Sequence, residues 1–196
     1  MRFNREEIRA DICYHEAAHA VFAYHARLPI RRVFVTEELE AICVTYRLPK
    51  PYPRQGVELA AVYLAGEHAL WRRRGQPRPH VTFDDFAVGA EVEAKGFADG
   101  LDAYAGDYAG ALELVQLAAN DPGNPWGGIE GCYEAACRIA ASNVVRWWDE
   151  ISAVAERLRE VGCLEGDECI ALIEGAARGE QPSGESGDTS SLQDDL

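Results

Sequence analysis

The chain has 196 residues, with 19 Lys or Arg against 33 Asp or Glu, so its formal net charge is −14 at pH 7. This length is sufficient for one domain with a proper core. The acidic excess argues against non-specific binding to nucleic acid and against binding to an anionic membrane surface, and no stretch approaches the length of a membrane span.

The six cysteines are interpreted as free thiols. The N-terminal sequence MRFNREEIRADI is charged and lacks the apolar region of a signal peptide, so we expect a cytoplasmic, reducing location in which the thiols stay unpaired and mostly buried. No Cys-x-x-Cys pair occurs, which argues against zinc held by cysteines.

The predicted elements are mainly helical, with a small β-hairpin after the first helix. Helices are expected over about residues 4–26, 57–73, 104–120, 129–161 and 168–177, and strands over 31–36 and 41–48. Residues 81–103 are interpreted as a partly helical insertion, and Arg72 to Arg74 as cations at a helix end beside a solvated loop. The fold class is therefore mainly α (α+β), with one domain over residues 1–177 and a disordered acidic tail over 178–196.

The first helix contains the pentapeptide His15-Glu16-Ala17-Ala18-His19. Two histidines four residues apart lie one turn above each other, so both imidazoles can reach one metal ion. Glu16 is placed to contact a water on that metal without being a ligand. This is the HExxH arrangement of zinc hydrolases. Asn4 and Glu7 at the start of this helix have the pattern of a capping box.

A zinc hydrolase usually needs a third protein ligand, and three kinds of candidate follow from spacing. His25 stands where metzincins have a third histidine, but Phe22 occupies the position of the required glycine, so we expect His25 to be an exposed last-turn residue. Glu38 has the separation of a gluzincin ligand, but the residues before it predict strand and turn. His68 and His80 are expected to be surface or structural residues. The remaining candidate for the third ligand is an Asp on a later helix.

The stretch YHEAAHAV resembles the HEAGHA helix of the FtsH-type ATP-dependent zinc metalloproteases. A strand pair and then a helix with a Leu64-Ala65-Gly66 step are similar to that peptidase domain as well. The resemblance implies a Zn²⁺ ion held by His15, His19 and an Asp at the start of a later helix. Asp107 in AGDYAGALELVQLA is the preferred match, and Asp85 (or its neighbour Asp84) in TFDDFAVGAE is the alternative. Either Asp could instead be a helix N-cap.

The resemblance implies a zinc metalloendopeptidase in which Glu16 activates a water. The chain has no ATPase domain and no GxxxxGK[ST] loop, so we expect ATP-independent hydrolysis of peptides or unfolded protein segments. The alternative is a catalytically inactive helical binding or regulatory protein that keeps the motif. An intact Glu16 favours the enzyme, whereas the missing unfoldase favours the alternative or a narrow substrate range.

Overall fold

The computed structural model describes residues 4–45, 55–98 and 106–179, and within these ranges it is mainly helical with a small antiparallel sheet. The expected fold class is thereby confirmed. In chain order the elements are α1 (Arg5–His25), β1 (Ile30–Val35), β2 (Ala41–Thr45), α2 (Gly56–Arg73), α3 (Phe83–Ala98), α4 (Asp107–Ala119), α5 (Ile129–Arg146), α6 (Trp148–Val161), β3 (Cys163–Glu165) and α7 (Gly166–Ala177).

Helix α1 is central to the core. The Asn4 Oδ1 atom accepts from the Glu7 N–H at 2.8 Å, and the Glu7 carboxylate accepts from the Asn4 N–H at 3.0 Å, so the predicted capping box is present. The second half of the helix is rich in fully buried alanines. These small side chains let α2 and α6 pack closely on α1.

The sheet has the strand order β2-β1-β3, with both pairings antiparallel. The β1–β2 hairpin was expected from the β-branched and aromatic residues on both sides of a short turn. Strand β3 was not, because three residues are too few to show a periodicity. Its central residue, Leu164, is fully buried and lies opposite Val33, so tertiary pairing forms this strand.

The single helix expected over residues 129–161 is wrong, because the chain forms two helices that separate at Trp147. This residue has φ −104° and ψ 25°, outside the helical values. Its ring packs edge-on against Phe22 and stacks on His25, with ring centroids 4.9 and 3.9 Å apart. The break lets α5 pack on α2 and α4 while α6 packs on α1 and α7.

The segment interpreted as an insertion contains α3, which packs on α4. The last part of that segment, residues 99–103, lies outside the described residues, and so do residues 104 and 105 of the helix expected over 104–120. Nearly all of the proposed tail, residues 180–196, lies outside them as well. The basic residues at the end of α2 are not simply solvated, because Arg73 and Arg74 both donate to the buried carboxylate of Asp11. In the described ranges, no helix combines the length and the apolar character needed to cross a membrane.

Candidate metal centre

Three candidate ligands lie close together in the structure, although they belong to two helices, α1 and α4, that are far apart in the sequence. His15 Nε2 lies 2.8 Å from Asp107 Oδ2, His19 Nε2 lies 3.1 Å from the same oxygen, and the two Nε2 atoms are 3.0 Å apart. The three atoms form a nearly equilateral triangle. The side chains of His15 and Asp107 are 29% and 32% exposed, whereas that of His19 is 10% exposed. The triangle is therefore reachable from solvent on one side.

The backbone of α2 fixes the orientation of the His19 ring. His19 Nδ1 lies 2.7 Å from the carbonyl oxygen of Val62. A carbonyl can only accept, so the proton must be on Nδ1 and the ring donates to Val62. In a neutral His19 this leaves the lone pair of Nε2 directed into the cluster. Ligating histidines in metalloproteins are oriented by the same kind of outer contact.

A glycine in α2 makes room for the His15 ring. A Cβ atom built at Gly66 would stand 2.6 Å from Nε2 and from Cε1 of His15. No side chain larger than hydrogen fits at this position while the ring stays in place. The Leu64-Ala65-Gly66 step noted in the sequence thus lies directly against a candidate ligand.

Asp107, the preferred third ligand, is the first residue of α4 and follows His19 by 88 residues in the sequence. The competing Asp85 lies in the first turn of α3, where its carboxylate accepts from the Thr82 hydroxyl at 2.7 Å and its N–H donates back to the Thr82 oxygen at 3.2 Å. Thr82 is therefore the residue that caps α3, and Asp85, as the third residue of this helix, supports the cap instead of being the N-cap itself. Asp84 is also in that first turn and is exposed.

The histidine and glutamate alternatives lie elsewhere. Glu38 is exposed in the hairpin turn and His80 is exposed in a loop. His25 is in the last turn of α1, as expected, but it has a structural role: its Nε2 lies 2.6 Å from the Glu150 carboxylate. In the described part of the chain, the cluster of three residues that includes Asp107 is the one with the spacing of a metal site.

The charges of the cluster favour an added cation. Burial raises the pKa of Asp107, but the two imidazoles beside it have the larger combined effect and hold that pKa well below its usual range. Burial lowers the pKa of His19, but the Asp107 carboxylate outweighs it and raises that pKa to about 9. Two acceptor nitrogens and a carboxylate oxygen within about 3 Å of each other repel unless a proton or a metal ion lies between them.

Glu16 is buried beside this cluster and is 8% exposed. Burial raises the pKa of its carboxyl, His19 and His15 lower it, and Asp107 raises it again, so Glu16 lies within the electrostatic field of all three candidate ligands. Its carboxylate also accepts a hydrogen bond from the backbone N–H of Cys43 in β2. Glu16, the base predicted from the sequence, therefore extends from α1 and is held by a backbone group of β2.

The donor set fits zinc. Zinc–nitrogen and zinc–oxygen bonds of about 2.0–2.2 Å in a tetrahedral site imply distances of about 3.3 Å between donor atoms. The three distances of 2.8 to 3.1 Å need only a slight expansion to reach that value. Two neutral imidazoles and one carboxylate are also ordinary zinc ligands, and three protein ligands leave a further position for substrate or water.

Sequence reasoning did not identify Val62, because a backbone carbonyl that orients a ligand has no residue-type signature. The comparisons add no family assignment, since no family model matches the chain and no curated protein matches it either.

Proposed function

We propose that the chain is a zinc-dependent metallopeptidase in which His15, His19 and Asp107 hold the ion and Glu16 is the general base. The observation that carries this proposal is the convergence of the three donor atoms, with Asp107 brought from 88 residues away. The resemblance of the first helix to the FtsH-type peptidases supports it. A structural zinc site usually has four protein ligands, whereas a set of three is typical of catalytic sites.

Zinc at such a site acts as a Lewis acid and lowers the pKa of water towards about 7. The Glu16 carboxylate accepts the proton of the attacking water as the oxygen adds to the scissile carbonyl carbon. The same carboxyl then donates that proton to the departing amine nitrogen, so the C–N bond breaks and Glu16 returns to its ionised form. The hydrogen bond from Cys43 orients the carboxylate for both transfers.

The strand beside Glu16 suggests how a substrate binds. Strand β2 is at an edge of the sheet, and among the described residues it pairs only with β1. Edge strands have free backbone groups to which an extended peptide can add. Flexible peptides or unfolded protein segments are therefore the proposed substrates. All six cysteines are unpaired, which supports a cytoplasmic location.

The first experiment measures zinc per chain in purified protein, for wild type, His15→Ala, Asp107→Asn and Asp85→Asn. We expect about one zinc ion in wild type and in Asp85→Asn, and much less in the other two. Asp85→Asn is the matched control, because it removes the same charge from the start of a neighbouring helix. Loss of zinc in Asp85→Asn alone would refute the ligand set.

The second experiment measures hydrolysis of an unstructured peptide by zinc-loaded wild type and Glu16→Gln. The amide keeps the size of the side chain but cannot accept the proton, so activity should fall by about 10²–10⁴-fold while zinc content stays unchanged. Full activity in Glu16→Gln would refute the mechanism. Zinc binding without hydrolysis in wild type would favour the inactive binding protein.

A further inference from the structure

The start of α4, which carries Asp107, has no cap of its own. The first N–H groups of a helix lack partners within the helix and are usually satisfied by an N-cap side chain. Here the N-cap residue is Gly106, and no side-chain cap hydrogen bond is made from that position. The N–H groups in the first turn of α4 therefore need acceptors from outside this helix.

Helix α3 supplies the missing cap through Glu93. Its Oε2 atom accepts from the Ala109 N–H at 3.0 Å, and its carboxylate also accepts from the N–H of Tyr108. A Cβ atom at position 106 would collide with this carboxylate. Glycine at the N-cap is thus what lets a side chain from another helix satisfy the first turn of α4.

The residue after the ligand, Tyr108, links the same turn to α2. Its hydroxyl donates to Glu67 Oε2 at 2.9 Å, and that oxygen also accepts from Arg78 Nε at 2.9 Å. Glu67 directly follows Gly66, on which the His15 ring lies. The Tyr108 ring packs on α3, where a Cβ atom at Gly89 would be only 2.8 Å from ring Cδ2.

We infer that Glu93 and Tyr108 are positioning residues of the metal centre, and that α3 completes the centre by holding Asp107 against the two histidines. This inference rests on the proposed function, since it takes Asp107 to be a metal ligand. Neither residue contacts the donor triangle as a ligand itself. Outer groups that orient ligands typically change metal affinity by about 10–100-fold when they are removed.

Glu93 could affect the centre in two ways, and substitution separates them. Its carboxylate accepts hydrogen bonds that fix the helix start, and its negative charge lies near Asp107. Glu93→Gln keeps an acceptor oxygen but removes the charge, whereas Glu93→Ala removes both. Positioning predicts that the glutamine variant behaves like wild type.

The test measures the dissociation constant of Zn²⁺ on the full chain, by competition with a chromophoric chelator. We expect Glu93→Ala and Tyr108→Phe to weaken binding by about 10–100-fold, and Glu93→Gln by less than about threefold. Glu113→Ala is the matched control, because it removes an exposed carboxylate from α4. In Glu93→Ala the visible spectrum of bound Co²⁺ should also change, because displacement of the Asp107 carboxylate alters the coordination of the metal. A loss of protein stability alone would not change this spectrum.

Wild-type zinc affinity in Glu93→Ala would overturn the inference, and so would equal losses in the alanine and glutamine variants, which would assign the effect to charge. If Glu93→Ala does not fold, Tyr108→Phe and Gly106→Ala decide in its place, and unchanged affinity in both refutes the inference. A wild-type protein that binds no zinc refutes the proposed function itself. Zinc that is lost in Asp107→Asn but unaffected by the positioning variants refutes only the inference.

Discussion

We expect Gly66→Ala to leave the fold intact and to weaken zinc binding by about a hundredfold or more. The added Cβ would stand 2.6 Å from His15 Nε2, whereas ordinary contact between non-bonded heavy atoms begins at about 3.5 Å. The imidazole must therefore move by about 1 Å. This is a third of the 2.8 Å that separates its Nε2 from Asp107 Oδ2, so the ring leaves the position that completes the triangle.

The magnitudes differ for metal binding and for stability. Zinc sites with four protein ligands bind with about 10–16 kcal/mol, so one ligand accounts for about 3 kcal/mol, or more than a hundredfold in affinity. Alanine stabilises a helix interior by about 1 kcal/mol relative to glycine, and the overlap costs about 1–3 kcal/mol. In a His15→Ala background the overlap is absent, so Gly66→Ala should stabilise that protein by about 1 kcal/mol.

A double-mutant cycle over Gly66 and His15 tests this reasoning. Zinc affinity is measured by chelator competition, and the free energy of unfolding is measured by urea denaturation of the metal-free proteins. The reasoning is refuted if Gly66→Ala binds zinc as tightly as wild type. It is also refuted if the substitution changes stability equally in both backgrounds.

Two further histidines should affect stability without affecting the metal. His25→Ala should lower the free energy of unfolding by about 1–3 kcal/mol, because it removes the ring stacked on Trp147 and leaves the Glu150 carboxylate without its 2.6 Å partner; loss of zinc in this variant would instead make His25 a ligand. Burial, and then Arg78, lower the pKa of His68 to about 4 from its ordinary value of 6.5. The unfolded chain therefore binds this proton first, and the free energy of unfolding should fall by about 2 kcal/mol between pH 7 and pH 5. Urea denaturation of metal-free wild type and His68→Leu measures this difference, and equal pH dependence in both would contradict it.

The parts of the fold that were predictable depend on local signals. The start of α1 follows from Asn4 and Glu7, which satisfy each other's backbone groups within four residues. The β1–β2 hairpin follows from β-branched residues on both sides of a short turn. The break at Trp147 was not predictable, because neither Gly nor Pro marks it and it depends on contacts of the indole ring with α1.

The residues of the candidate site were likewise predictable only where local signals determine their relation. His15, Glu16 and His19 belong to one helix, so their spacing alone determines their relation. The third residue depends on how distant helices pack, and Asp85 and Asp107 have the same local character because each lies in the first turn of a helix.

What distinguishes the two Asp residues is the set of glycines around Asp107. Gly66 admits the His15 ring, Gly106 admits the Glu93 carboxylate, and Gly89 admits the Tyr108 ring. Each of these side chains is a candidate ligand or lies beside one. Helices α1 to α4 can therefore approach one another here only because these positions lack a Cβ atom. Asp85, by contrast, already forms two hydrogen bonds with Thr82 at the start of its own helix. The sequence shows these glycines, but it does not show which side chains they meet, because each partner belongs to another helix.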